Sequence, residues 1–266
     1  MAGGLLFSLP LLYTMEVWWA GFTSHSWRLG IYVAATFALL LGYNYYLGLR
    51  RDTCFTEVVI DSFEEMGLGL LVALLMLWLL GQVEFGMPAT EVVGKVIIEG
   101  MTVAVGVSVG TSQLGGDGED EDKGVGSAGE AGAEGKHNFG GQVVVALCGA
   151  VLFASNVAPT EEIVLIAIEI SAWRLLGLAA LSLALGALIL YYSEFAGSET
   201  HVRFDKHHDV IVGTVVTYAV ALLVSALILT FFGRFDGQAL ATCVAQTIVL
   251  GLAATLGASA GRLLLQ

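Results

Sequence analysis

The sequence predicts an all-α fold, a polytopic transmembrane helical bundle of about eight spans arranged as two parallel-oriented four-helix repeats. Three observations predict it. Of 266 residues, 56% are hydrophobic and only 13% charged, with a mean hydropathy of +0.80. A soluble domain carries roughly twice that charged fraction. Several apolar stretches run past the ~18 residues that span a bilayer as a helix, and the short alternating segments of a membrane β-barrel are absent. Third, the chain resembles itself at an offset of 146 residues. There Phe7, Thr14 and Glu16 meet Phe153, Thr160 and Glu162, Trp27-Arg28-Leu29 meets Trp173-Arg174-Leu175, and Tyr45-Tyr46 meets Tyr191-Tyr192.

Apolar runs between polar breaks place the spans at about 4–22, 29–49, 62–82, 88–111, 142–170, 173–195, 209–233 and 238–264. In the first span, "PLLYTMEVWW" sets Pro10 and the carboxylate of Glu16 among aromatics. The second opens on Trp27-Arg28 and closes on Tyr45-Tyr46, residues suited to interfacial belts. Glu64 and Glu65 open the third beside Asp61, an ordinary place for acids at an interface. In the fourth, Glu91, Lys95 and Glu99 share a helix face at i, i+4, i+8, and Lys95 is expected to neutralise Glu99. This span also carries "GVSVG", with Gly106 and Gly110 at the GxxxG spacing that lets helices approach closely.

The stretch 112–141 is Gly-rich and acidic, and reads as a solvated linker between repeats at 1–111 and 142–266. The fifth segment, 142–173, would measure about 48 Å as one helix at 1.5 Å per residue, longer than a hydrocarbon core of about 30 Å. A break near Asn156–Pro159 is therefore expected, with Asn156 or a neighbour capping a second half-helix. Glu161 and Glu162 would stand in its first turn, where the helix dipole favours negative charge, and Glu169 two turns on. The sixth span repeats the Trp-Arg and Tyr-Tyr pairs of the second. The seventh follows "SETHVRFDKHHDV", whose His201, His207, His208, Asp205 and Asp209 show no fixed metal-ligand spacing. The eighth carries "GASAG" (Gly257, Gly261). Gly86, Gly100, Gly106, Ser108 and Gly110 match Gly237, Gly251, Gly257, Ser259 and Gly261 at an offset of 151. Whether the GxxxG motifs pack within one chain or between copies in a homo-oligomer is left open.

Four spans per unit give both copies the same orientation, with a pseudo-twofold axis along the membrane normal. Arg50, Arg51, Lys123, Lys136, Arg203, Lys206 and Arg262 lie on the side of the termini, against Arg28, Arg174 and Arg234 opposite. The positive-inside rule then puts both termini and the linker of this multi-pass cell-membrane protein in the cytoplasm. No removable signal peptide is expected. Cys54, Cys148 and Cys243 form no metal spacing and no disulfide framework.

"PLLYTMEVWWAGF", "NVAPTEEI" and "LGASAGRLL" resemble an uncharacterised family of prokaryotic integral-membrane proteins frequent in haloarchaea. The scarcity of Lys and the abundance of Gly, Ala, Val and acids also resemble proteins of salt-loving archaea. The resemblance implies a polytopic helical membrane protein and carries no activity with it.

Function must therefore come from the residues. An ionisable group at membrane depth is a functional candidate by default, and acids outnumber bases there. Glu16, Glu161, Glu162, Glu169, Asn156, Lys95 and Glu99 are the expected ion-binding or pathway residues, with Pro10 and Pro159 as helix breaks. Glu16 and Glu162 are expected to form a two-part site at the repeat interface. The expected activity is transport of an inorganic cation or a proton, by a carrier or by a channel with the same residues as a charged constriction. A non-transporting sensor or assembly scaffold is the alternative. No nucleophile–base pair, HExxH or phosphate loop is present, so no catalytic residue, metal or cofactor is expected. The bilayer is the expected partner and nucleic acid is not.

Overall fold

The computed structural model describes residues 11–47, 55–114, 139–196 and 206–263, together with Gly4 and Leu6. Pro10, the acidic stretch 115–138, and His201 and Asp205 of the histidine-bearing loop lie outside the described residues. Those described form nine helices and no strand. They are α1 (Met15–Thr23), α2 (Ser26–Leu47), α3 (Phe55–Leu79), α4 (Ala89–Leu114), α5 (Phe139–Val157), α6 (Glu162–Glu169), α7 (Ala172–Ala196), α8 (Lys206–Phe231) and α9 (Leu240–Leu263). Six of them, α2, α4, α5, α7, α8 and α9, are long and apolar enough to cross a membrane. Helix α3 is as long, at 25 residues, but carries Glu57, Asp61, Glu64 and Glu65 in its N-terminal half.

Two of the expected spans are not continuous helices. The segment at 4–22 is interrupted at Tyr13–Thr14, and the one at 142–170 between Val157 and Glu162. Pro159 accounts for the second interruption, because it lacks an N–H and drives the residue before it out of the helical region. Tyr13 stands at its place in the first half, so Pro10 lies three residues before the interruption. The short helices that follow, α1 with nine residues and α6 with eight, reach only about 12–13 Å.

The backbone bonds around the two interruptions recur 146 residues apart. Thr14 N–H bonds the Leu11 carbonyl at 2.9 Å and Thr160 N–H that of Val157 at 3.1 Å. Ser24 N–H bonds Ala20 at 3.0 Å and Ile170 N–H bonds Ile166 at 2.9 Å. Ser24 and Ile170 are both extended, at φ −70°, ψ 137° and φ −72°, ψ 131°, so each short helix turns into a long one through the same bend. Helices α3 and α8 likewise end in one way. Gly81 and Gly233 both have φ +70°, and the following N–H groups of Gln82 and Arg234 reach back to Leu77 and Leu229 at 2.8 and 2.9 Å. This is the Schellman arrangement, which needs a left-handed residue and so favours glycine.

Small residues set the packing. A Cβ on Gly257 would strike the Gly149 carbonyl, and one on Gly261 the Val145 carbonyl, so "GASAG" of α9 seats its backbone against α5. Helices α1 and α4 meet backbone to backbone at Gly21 and Gly94, and α3 meets α4 at Gly69 and Gly100. One core cluster joins α5, α6, α8 and α9, and another joins α2, α3, α4 and α5 across the two halves. Leu71, Leu74, Trp78, Leu176, Leu188, Leu223 and Leu227 are exposed, as expected where lipid takes the place of water.

Candidate functional site

The polar face of α4 is the natural starting point, and its pairing differs from the expected one. Lys95 Nζ lies 2.7 Å from Glu91 Oε1 and donates to the Gln82 carbonyl at 3.1 Å; it does not reach Glu99. Glutamate placed N-terminal to lysine at i, i+4 is the better orientation, and the Gln82 carbonyl, in the turn after α3, draws the lysine the same way. In the other half Gln246 occupies the corresponding place on α9 and donates to the Arg234 carbonyl at 3.4 Å. Lys95 and Gln246 thus perform the same task, tying a helix to the loop that precedes it.

Glu99 is left without a partner. It is 0% exposed, and among the described residues neither carboxylate oxygen has a hydrogen-bond partner. Well over nine-tenths of buried polar groups are paired in folded proteins, so this is an exception that needs a reason. One turn on, Thr102 Oγ1 and the Tyr32 hydroxyl of α2 are 2.9 Å apart, and Tyr32 lies within electrostatic reach of Glu99. The Tyr32 ring stacks on Phe231 of α8 at 4.6 Å. Ile98, beside Glu99, packs with Leu11 and Val17, which flank the interruption at Tyr13–Thr14. Glu99 is therefore at the depth of that interruption.

A second polar group lies further along α4, toward its C-terminal end. Asn44 Nδ2 of α2 donates to Glu65 Oε2 at 2.9 Å and is 3.1 Å from Ser62 Oγ. Ser108 Oγ donates to Asn44 Oδ1 at 3.4 Å and is also within hydrogen-bond reach of Glu65. Glu65 is half-buried while Ser62 and Ser108 are buried. The span from Glu99 to Ser108 is about 13.5 Å along the helix, and the space between is mostly apolar, with Thr36 of α2 buried between Tyr32 and Asn44. Leu40, Tyr43, Met66, Met101, Ala104 and Val105 fill it, continuous with Cys148 and Leu152 of α5.

The other half lacks three of these groups. Glu99, Tyr32 and Asn44 correspond to Leu250, Leu178 and Leu190. Ser259, in the place of Ser108, is buried with no partner for its hydroxyl among the described residues. An apolar crevice of about 100 Å³ lies where the halves meet, lined by Tyr43, Cys148, Gly149, Leu152, Gly257 and Gly261 among others.

The remaining expected site residues lie elsewhere. Glu16 is half-buried at the start of α1, and Glu161, Glu162 and Glu169 are exposed on or beside α6. No hydrogen bond or ion pair among the described residues joins Glu16 to Glu162. Asn156 does not cap α6; its amide donates to the Leu152 carbonyl within α5, and Glu161 takes the cap position with no side-chain bond. Gly106 and Gly110 are buried in α4. Among the described residues no three His, Cys, Asp or Glu side chains gather as for a metal ion.

The family described as "Putative integral membrane protein (DUF2391)" matches residues 1–265. The chain belongs to this family. No curated protein and no solved structure is significantly similar to it. It is an integral membrane protein with several apolar helices, and the chemistry of its site rests on the geometry above.

Proposed function

We propose that the protein is an ion-transport protein that moves a cation or a proton across the membrane between the Glu99 and Glu65 stations. The observation that carries the reading is Glu99, a carboxylate enclosed at membrane depth without a partner among the described residues, where the other half has leucine. An intramembrane acid is costly and is functional by default. The apolar plug between the stations favours a carrier over a channel, since an open pore would need a continuous wet path.

The reading takes the chain as two tandem copies of a four-helix unit in parallel orientation, with both termini and the acidic linker cytoplasmic. The bonds that recur at 146 residues and the paired glycine caps support the duplication. The excess of Lys and Arg on the side of the termini supports the orientation. Under this reading, what both copies keep is architecture and what one copy alone keeps is function. Glu16 and Glu162 are present in both, each in the first turn of a short helix where the dipole favours an acid, and they serve the fold.

The test is flux in liposomes. Protons, sodium, potassium and calcium are followed for the wild type and for Glu99→Gln, Glu65→Gln, Glu16→Gln and Glu162→Gln. Loss of flux in the first two and retention in the last two is the expected pattern. Absence of any flux, or flux indifferent to Glu99 and Glu65, would overturn the proposal.

A further inference from the structure

We infer that the transported ion is the proton, carried through the membrane centre on the Glu99 carboxyl alone. The inference rests on the transport reading and narrows it to one substrate.

A metal cation in a protein exchanges its hydration shell for a shell of protein oxygens; calcium, for example, takes about 6–8 of them at about 2.3–2.6 Å. The surroundings of Glu99 offer no such shell. Its two oxygens have no polar partner among the described residues. The nearby hydroxyls of Tyr32 and Thr102 are bonded to each other. Helix α4 is unbroken from Ala89 to Leu114, so the backbone carbonyls around Glu99 are held in helical bonds. The neighbours Ile98 and Met101 are buried and apolar. A proton needs none of these ligands. It adds to one carboxylate oxygen, giving a neutral carboxyl that an apolar enclosure tolerates, and leaves the carboxylate behind on departure.

The ionisable groups on the helices packed against α4 are Glu16 on α1, Arg28, Tyr32, Tyr43, Tyr45 and Tyr46 on α2, Glu57, Asp61, Glu64 and Glu65 on α3, and Cys148 on α5; Arg28 is paired with Asp236. Tyr32 interacts electrostatically with Glu99. On α4 itself, Lys95 is committed to Glu91. Among the described residues no fixed cation thus compensates Glu99, and the proton is the counter-charge available to it. Transfer to the Glu65 station, where Asn44 and Ser108 meet the carboxylate, requires the Met101–Val105 plug to part. A cation with its water would need a far wider opening than a proton passed along a transient water file.

The decisive measurement is luminal pH in liposomes under a proton gradient, with sodium, potassium and calcium omitted and a membrane-permeant lipophilic ion, tetraphenylphosphonium, present to compensate the charge that each proton carries. Wild type is expected to collapse the gradient at least ~10-fold faster than Glu99→Gln, with the variant equal to empty liposomes. Glu99→Leu is the second variant, because the corresponding Leu250 is fully buried in the other half. Both variants are first shown to be folded by thermal unfolding. Glu99-dependent flux of sodium, potassium or calcium without proton movement overturns the proton assignment and leaves the transport reading standing. Proton movement that stops when those metal ions are omitted, or that survives both variants, also overturns it. Absence of Glu99-dependent flux for all four ions overturns the inference and the transport reading together.

Discussion

Replacing Glu99 with leucine tests whether this carboxyl serves the fold or is kept despite it. The side chain is fully enclosed and both oxygens lack partners among the described residues. A buried polar group without a hydrogen bond costs about 1–3 kcal/mol, and leucine removes that cost while keeping the space filled. Branching at Cγ differs between the two side chains, and overpacking a tight site costs about 1–3 kcal/mol in the worst case. The equivalent place in the other half accommodates Leu250 between the same kinds of helices, so relief of the orphaned carboxyl should dominate. The net expectation is a gain of about 1–2 kcal/mol, on the order of 2–8 °C in melting temperature for a chain of this size. The assay is thermal unfolding in detergent, followed by helical circular dichroism, beside the liposome flux of the same preparation. A protein that is more stable and inactive is the expected outcome, as for residues kept for function at a cost in stability. A melting temperature lowered by more than about 2 °C would refute the reasoning, because it would mean that Glu99 holds a structural partner.

Lys95→Gln should cost less than Lys95→Met, about 1 kcal/mol, since it can keep a loop contact as Gln246 does but, like methionine, leaves Glu91 without its ammonium partner. Lys95→Met, which loses the bond to Gln82 and leaves Glu91 unpaired, should cost about 1–3 kcal/mol in the same thermal assay. Gly257→Val would drive a side chain into the Gly149 carbonyl and Phe153. A loss of about 3 kcal/mol or more is expected, read as a collapse in folded yield. Gly30→Ala is the control, since nothing lies within 4 Å of its added Cβ. Asp236 pairs with Arg28 at 3.0 Å, but its side chain is 67% exposed, so Asp236→Asn should change stability by less than about 1 kcal/mol. Any effect should shrink in high salt.

Much of the fold was legible because membrane helices announce themselves by apolar length, and the polar breaks between runs bounded most helices within a few residues. The interruption near Pro159 follows from one residue's chemistry. The one at Tyr13–Thr14 has no such marker, and Pro10, the visible proline, sits three residues earlier. In the site, Glu99 and Lys95 stood out as charges in an apolar segment. Their pairing was misread because Glu91 and Glu99 are both four residues from Lys95, and the Gln82 carbonyl that breaks the tie comes from another segment. Glu65 looked like an ordinary acid at a helix entrance. Its partners Asn44 and Ser108 come from two other helices, and single hydroxyls and amides in apolar runs carry little signal. The one available hint was the sequence match at an offset of 146, which sets Asn44 and Tyr32 against leucines.

Composition and periodicity determined by themselves that this chain is helical and lives in a membrane, because transfer of apolar surface out of water depends on each segment's own residues. The internal match at 146 residues likewise needed no coordinates. Which acid is isolated was decided only by tertiary structure. Whether a buried carboxylate is paired depends on side chains and carbonyls that approach from other helices, and on the glycine contacts that let them come close. The sequence pointed to Glu16 and Glu162 because they repeat. Packing moved the weight to Glu99, which has leucine at the matching place and which nothing among the described residues neutralises.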